Sequence, residues 1–157
     1  MEPGVLGGRG CHGSKKEKRE EDKDYMNRYT RIDRESGAQE ALFDWLALQK
    51  GRYPEMQLAF HIPNGGKRNA AEAAHLKRQG VKAGVPDICL PVAKSGYHGL
   101  YIELKVGKNK PTEMQKRWIG ELNAQGYRAV VCYGWEEAAK EIHAYLTGEE
   151  DPDLWRN

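Results

Sequence analysis

The stretch GLYIELKV, residues 99–106, alternates apolar and polar side chains from one end to the other. Its even-numbered positions are all aliphatic, and Tyr101, Glu103 and Lys105 alternate with them. Because successive side chains of a β-strand point to opposite faces, this pattern predicts a strand with one face in the core. The other face then presents a carboxylate and an ammonium group two residues apart.

A second strand is predicted at VPDICLPV, residues 85–92, with Asp87 and Cys89 on the face opposite Ile88 and Leu90. The loop KSGYHG is long enough to join the two strands as a hairpin, and pairing would then bring Asp87 beside Glu103. Two carboxylates next to a lysine suit a hard divalent cation such as Mg²⁺, which takes oxygen ligands and acts on phosphate groups. The alternative is an exposed Glu–Lys pair on a half-buried strand. Cys89 is interpreted as a packing residue.

Helical and strand patterns flank these two segments. Helices are predicted at 36–49, from the cap at Asn69 to Gly80, from the capping box of Thr112 and Gln115 to Gly126, and at 135–146. Further strands are predicted for MQLAFHI, residues 56–62, and YRAVVCY, residues 127–133. This order predicts a mixed α/β domain with one sheet of about four strands and helices on its faces.

The 157 residues suit one domain of ordinary size. Residues 1–34 are rich in glycine and then in charge, which predicts a disordered or weakly structured tail before a domain at 35–148. Residues 149–157 are expected to form an acidic tail. An apolar run of roughly 18 residues, the length of a membrane span, is absent, and so is a secretory signal pattern. The three scattered cysteines favour a reducing, cytoplasmic compartment.

Positive charge is concentrated in two segments, although the formal net charge is only +2. Residues 61–82 hold five Lys or Arg against Glu72 alone, and residues 103–117 hold five against two acids. Local basic surfaces of this kind indicate a polyanion footprint, and scattered solvated charge is the alternative. The turn at Asn64 to Arg68 contains glycines that would let backbone amides approach a phosphate. His61, just before it, is interpreted as a packing or hydrogen-bonded residue.

Four blocks together carry a resemblance to a known family: HIPNGGKRN, LKRQGVKAGVPDICLP, YIELKVGKNKPTEMQ and LNAQGYRAVVCYGWEEA. Pro86-Asp87 followed by Glu103-Leu104-Lys105 resembles the PD-(D/E)XK nuclease signature. The ordered set, across roughly residues 36–147, resembles the virus-type replication–repair nuclease (VRR-NUC) domain in its small phage-type form. The resemblance implies a restriction-endonuclease-like α/β core that hydrolyses DNA with Mg²⁺ or Mn²⁺.

The resemblance also implies roles for single residues. Asp87 and Glu103 become metal ligands, the backbone carbonyl of Leu104 completes the set, and Lys105 positions the attacking water. Gln115 matches a glutamine that follows the E-x-K strand in this family, although it could serve only the capping box. An acidic residue of the first helix often joins the site; Glu40 is the best match and Glu35 is the alternative. The residues expected to contact DNA phosphates are Asn64, Gly65, Lys67, Arg68, Lys82 and Lys108.

The resemblance to small members of this family implies a homodimer that acts on branched DNA such as four-way junctions. If the protein is phage-encoded, the resemblance implies that it acts inside a bacterial host cell. The expected function is therefore a metal-dependent, structure-specific endonuclease. Two alternatives remain from the sequence: a DNA-binding module with a nuclease fold and no activity, and a flap or sequence-specific nuclease. The presence of both acids and the lysine argues against the first. The lack of a helix-turn-helix or zinc-finger pattern argues against sequence specificity.

Overall fold

The computed structural model describes residues 34–64, 69–150 and 154. The tail expected at 1–34 lies outside these residues except for Arg34, and so does most of the acidic segment 149–157. Helix α1 covers residues 34–49, and a 3₁₀ helix follows at Pro54–Leu58. The remaining elements are β1 Phe60–His61, α2 Ala70–Arg78, β2 Ile88–Leu90, β3 Leu100–Lys105, α3 Glu113–Ala124, β4 Arg128–Tyr133 and α4 Trp135–Thr147.

The four strands form one mixed sheet in the order β1-β2-β3-β4. Strands β1, β2 and β3 pair antiparallel, and β3 pairs parallel with β4. The hairpin expected between the second and third strands is therefore present, and α3 is the crossover between the two parallel strands. The expected α/β class with a mixed four-stranded sheet and flanking helices is confirmed.

The apolar face of β3 lies in the hydrophobic core, as its alternation predicts. The core joins Leu42 and Leu46 of α1 and Ile142 of α4 to the aliphatic face of the sheet, including Ile88 and Ile102. Burying one side chain of this kind contributes roughly 1.5–3 kcal/mol relative to leaving it exposed. Helices α1 and α4 thus cover one face of the sheet. Within the described residues, no helix is both long and apolar enough to cross a membrane.

The strand predicted at 56–62 is wrong over most of its length. Pro54 begins a 3₁₀ helix that extends to Leu58, and only Phe60 and His61 join the sheet. Proline suits the first turn of a helix, because its fixed φ is helical and the missing N–H is not needed there. Met56 is buried at 2% exposure while Leu58 remains 54% exposed. A short apolar run without strict alternation does not distinguish a strand from a helical turn.

The helix caps occur where the sequence places them. Asn69 caps α2 by accepting a hydrogen bond from the backbone N–H of Glu72, at 2.8 Å. Thr112 and Gln115 form a complete capping box at the start of α3. Each cap satisfies backbone N–H groups that have no partner within the helix.

The free side of strand β4, which is an edge of the sheet, is partly covered by one side chain of α3. The Asn123 side chain donates to the Ala129 carbonyl and accepts from the Ala129 N–H, both at 3.0 Å. Asn123 therefore supplies both hydrogen bonds that a neighbouring strand would otherwise make at this residue.

We expect Asn123→Ala to lower the free energy of unfolding by about 1–2 kcal/mol, because it leaves both backbone groups of Ala129 unpaired. Urea denaturation followed by circular dichroism measures the change. Gly120→Ala on the same helix is the control, since its added methyl group meets nothing within 4 Å. That control should stabilise the protein by about 0.5–1 kcal/mol through helix propensity. Equal stability of Asn123→Ala and the parent would contradict the role given to Asn123.

Candidate active site

The end of the β2–β3 pairing sets the position of Asp87. The last paired residues are Ile88 and Ile102, so Asp87 lies one step further, level with Glu103. One carboxylate oxygen of Asp87 accepts a hydrogen bond from the backbone N–H of Leu104 at 2.9 Å. Beyond the end of β2, the Asp87 side chain thus provides the acceptor for a backbone group of β3. The two carboxyl groups lie next to each other, as the polar face predicts.

Glu103 is completely buried, at 0% exposure, although it carries an ionisable group. Its Oε1 accepts hydrogen bonds from Lys105 Nζ and Gln115 Nε2, both at 2.5 Å. Its Oε2 is also buried, and none of the described residues gives it a hydrogen-bond partner. A carboxylate oxygen that is both desolvated and unpartnered costs free energy, and such groups are concentrated at functional sites.

The environment of Glu103 raises the pKa of its carboxyl group from the ordinary 4.5 to about 7. Burial is the largest cause, because it disfavours the charged form, and the neighbouring Asp87 carboxylate adds to the increase. The ammonium group of Lys105 opposes both by stabilising the charged form. Lys105 is itself 9% exposed, so this ion pair lies largely out of solvent.

Gln115 connects the capping box of α3 to the buried carboxylate. Its side-chain oxygen accepts from the Thr112 backbone N–H at 2.8 Å, which directs its NH₂ group at Glu103. The Thr112 hydroxyl completes the box by accepting from the Gln115 backbone N–H at 3.3 Å. Gln115 therefore both caps α3 and hydrogen-bonds Glu103, and its role in the site stays a prediction.

The acidic residues of α1 do not complete a cluster with this pair. Glu40 is exposed on α1, whereas Glu35 accepts a hydrogen bond from the Asn109 side chain, in the loop after β3, at 3.0 Å. In the part of the chain that the structure describes, no group of three or more His, Cys, Asp or Glu residues is placed to hold a metal ion. The roles of Glu40 and Glu35 as ligands stay predictions. Of the two, Glu35 is the residue that contacts the loop after β3.

The residues expected to contact DNA are only partly described. Gly65, Lys67 and Arg68 lie outside the described residues, and Lys82 and Lys108 are exposed. Asn64 donates from its side chain to the Val85 carbonyl at 2.8 Å, which connects the segment after β1 to the segment before Asp87. Their contacts with DNA stay predictions.

Two contacts near the site have partners that the sequence did not specify, although a hydrogen-bonded His61 was one of its interpretations. Nδ1 of His61 lies 2.9 Å from the backbone carbonyl of Asp87, which also accepts from the Ile62 N–H at 2.7 Å. Asn109, which binds Glu35, lies in the block YIELKVGKNKPTEMQ. Nothing in the pattern around Asn109 indicates a partner 74 positions earlier, so only the folded chain shows this contact.

The donor chemistry of the site fits a hard divalent cation. Asp87 and Glu103 supply carboxylate oxygens, and within the described part of the chain no donor reaches the buried Oε2 of Glu103. Mg²⁺ is commonly held by one or two carboxylates, with water and substrate phosphate as its other ligands. A pair of acids is therefore sufficient, and a third protein ligand is not required.

Comparison with known proteins agrees with this geometry. The model of the VRR-NUC domain family matches residues 33–136, which include both acids, Lys105 and Gln115. The chain belongs to the VRR-NUC family. A solved structure described as a VRR_NUC domain protein is 36% identical to it, with a TM-score of 0.63. The match covers 72% of this chain and 88% of the other. No curated protein matches the chain. The family is a nuclease family, and its match extends over the strands and the helix that form the site.

The raised pKa of Glu103 can be measured directly. In a carbon-detected NMR titration of the metal-free protein, we expect its side-chain carboxyl carbon to titrate near pH 7 instead of 4.5. The Glu103→Gln variant identifies the resonance by its loss. Between these two pH values the folded protein holds a proton that the unfolded chain has released. The contribution of Glu103 to stability is thus fully present below pH 4.5 and is lost as the pH rises through about 7. A midpoint near 4.5 would show that the carboxylate is solvated.

Proposed function

We propose that this VRR-NUC protein is a metal-dependent endonuclease of the PD-(D/E)XK type that hydrolyses phosphodiester bonds in DNA. The observation that carries the proposal is the buried Glu103 carboxylate, which among the described residues has two donors on one oxygen and none on the other. A purely structural ion pair would be expected to satisfy both oxygens, because an unpartnered buried acceptor destabilises the fold. The arrangement of Asp87 beside it supports a site that is completed by a cation.

In this proposal Asp87, Glu103 and the backbone carbonyl of Leu104 would hold Mg²⁺ or Mn²⁺. When bound, such an ion would supply a water of lowered pKa and would offset negative charge on the phosphoryl group. The hydrogen bond from the Leu104 N–H keeps the Asp87 carboxylate at the end of β3 before any ligand binds. Preorganisation of this kind lowers the reorganisation that the reaction requires.

Lys105 and Gln115 have separate tasks in this proposal. Lys105 carries an ammonium group at the edge of the site, where it can orient the attacking water or stabilise the charge of the transition state. Gln115 acts through Glu103: its NH₂ group and the ammonium both bind Oε1, which leaves Oε2 for the cation. Gln115 is therefore a positioning residue.

The proposed substrate is branched DNA, such as a four-way junction, and the expected products carry 5′-phosphate and 3′-hydroxyl ends. The basic residues that flank Asp87 and Glu103 in the sequence support a polyanionic substrate. A homodimer would place two sites about a two-fold axis, which suits symmetric cleavage of two strands. Incubation of linear, flap and four-way-junction DNA with and without Mg²⁺ tests both the reaction and the preference. Binding without cleavage under every condition would favour a non-catalytic DNA-binding module.

We expect Asp87→Asn and Glu103→Gln each to abolish cleavage while the fold and DNA binding are retained. We expect Mg²⁺ to raise the melting temperature of the parent, and both changes should remove that rise. A ligand at 100 times its Kd stabilises a folded protein by about 2.7 kcal/mol, which is easily measured. Full activity of either variant would refute the assignment of these ligands.

Lys105→Ala is the matched variant, since an ammonium group is not a metal ligand. It should lower the cleavage rate by a factor on the order of 10²–10⁴ and retain stabilisation by Mg²⁺. If Lys105→Ala cleaves as fast as the parent, the lysine has no part in the chemistry.

The basic residues Lys67, Arg68 and Lys82 are expected to bind phosphates without reading the sequence. Their triple alanine variant should bind DNA weakly at low salt and keep the preference of the parent among DNA structures. The logarithm of its affinity should also depend less steeply on the logarithm of salt, by about 0.9 for each duplex phosphate that the variant no longer binds. Fluorescence anisotropy over a salt series gives the slope. An unchanged slope would place the phosphate-binding residues elsewhere, for example at Lys108.

A further inference from the structure

The turn at Ala83 and Gly84, in the loop between α2 and β2, lies against the first turn of α3. Gly84 has a φ of +83°, in the left-handed region that favours glycine. A Cβ atom at this position would lie 2.9 Å from the Cβ of Met114, 3.0 Å from its backbone carbonyl carbon and 3.2 Å from the backbone nitrogen of Gln115. None of these atoms is the far end of a flexible side chain, so any larger residue would displace the helix or the turn.

A hydrogen bond holds the same turn to the next turn of the helix. The indole N–H of Trp118 donates to the backbone carbonyl of Ala83 at 3.1 Å. The turn thus contacts α3 at two places about one helical turn apart, once by close packing and once by a hydrogen bond. Two such contacts restrict both the distance of α3 from the turn and its rotation.

The position of α3 matters because Gln115 extends from its first turn to Glu103. Gln115 Nε2 donates to Glu103 Oε1 at 2.5 Å, so a displacement of the first turn of α3 would change the length and direction of this hydrogen bond. The same loop continues to Asp87, three residues after Gly84. The two sides of the site, Asp87 and Gln115, are therefore connected through the contact of Gly84 with the helix.

We propose that the Ala83–Gly84 turn is a positioning element that sets the reach of Gln115 to the Glu103 carboxylate. The absence of a side chain at Gly84 lets the helix approach closely enough for this hydrogen bond. Its effect on catalysis rests on the proposed nuclease function, whereas its effect on the Gln115 hydrogen bond does not.

Gly80 provides a matched control at the end of α2. It has a φ of +95°, so alanine is strained there as at Gly84, but its added Cβ would meet nothing within 4 Å. Gly80→Ala and Gly84→Ala therefore share the conformational cost and differ in the collision with α3. Both variants should lose stability, and only Gly84→Ala should move Gln115.

The first readout uses the side-chain amide of Gln115 in the metal-free, full-length protein. Two-dimensional ¹H–¹⁵N NMR identifies this NH₂ group by its loss in Gln115→Ala. We expect its resonances to move towards the positions of solvated glutamine in Gly84→Ala and to stay in place in Gly80→Ala. An unchanged Gln115 amide in folded Gly84→Ala would overturn the proposal, whether or not the protein cuts DNA.

The second readout is cleavage under the same conditions for all variants. Gly84→Ala should lower kcat by about 10- to 100-fold, the scale for a misplaced group in a site, while KM for DNA is unchanged. Gly80→Ala should cleave like the parent once the folded fraction is equal. A parallel loss in both variants would mean that Gly84 has only a structural role. An inactive parent would instead refute the proposed function, and the NMR comparison would still decide the positioning.

Trp118→Phe keeps the proposal testable if Gly84→Ala does not fold. Phenylalanine retains an aromatic ring and removes the donor to the Ala83 carbonyl. We expect a smaller displacement of the Gln115 amide in the same direction and a smaller decrease in kcat. A Gln115 amide and a kcat identical to those of the parent would show that the turn does not control the site.

Discussion

The complete burial of the Glu103 carboxylate is the constraint to which the rest of this structure responds. An ionised group at 0% exposure is tolerated only when charge and hydrogen bonds replace the water that it has lost. Its neighbours come from three elements: Lys105 from the same strand, Gln115 from α3, and Asp87 from the segment before β2. The register of β3, the position of α3 and the path of the loop before β2 must therefore all place their residues next to the Glu103 carboxylate.

The topology of the sheet explains how these elements meet. Strand β3 has an antiparallel neighbour on one side and a parallel neighbour on the other, and the parallel connection requires a crossover. Helix α3 is that crossover. A short loop separates the end of β3 from the N-terminus of α3. In α/β sheets this is the edge where ligands bind. The capping box of α3 therefore lies next to the charged residues of β3.

The two faces of the sheet have different physical roles. One face is aliphatic and packs with α1 and α4, which supplies the hydrophobic stabilisation of the domain. The other face holds the charged pair, whose desolvation opposes folding and raises the pKa of Glu103 to about 7. The core on the first face stabilises the fold enough to tolerate the partly unsatisfied group on the second. Such a conflict between stability and local chemistry is typical of functional sites.

The features that could be predicted from the sequence are those that depend on local interactions. The alternation in 99–106, the hairpin that pairs Asp87 with Glu103, and the caps at Asn69 and Thr112 all involve near neighbours or the period of a strand. The error at 56–62 has a local cause as well, since an apolar run opened by proline fits a 3₁₀ turn as well as a strand. The folded chain was needed to show that Gln115, beyond its predicted cap, also binds Glu103, that one Glu103 oxygen has no partner among the described residues, and that Gly84 lies against α3. These features depend on how closely residues of different helices, strands and loops approach each other in the folded chain, which no pattern of residue types records.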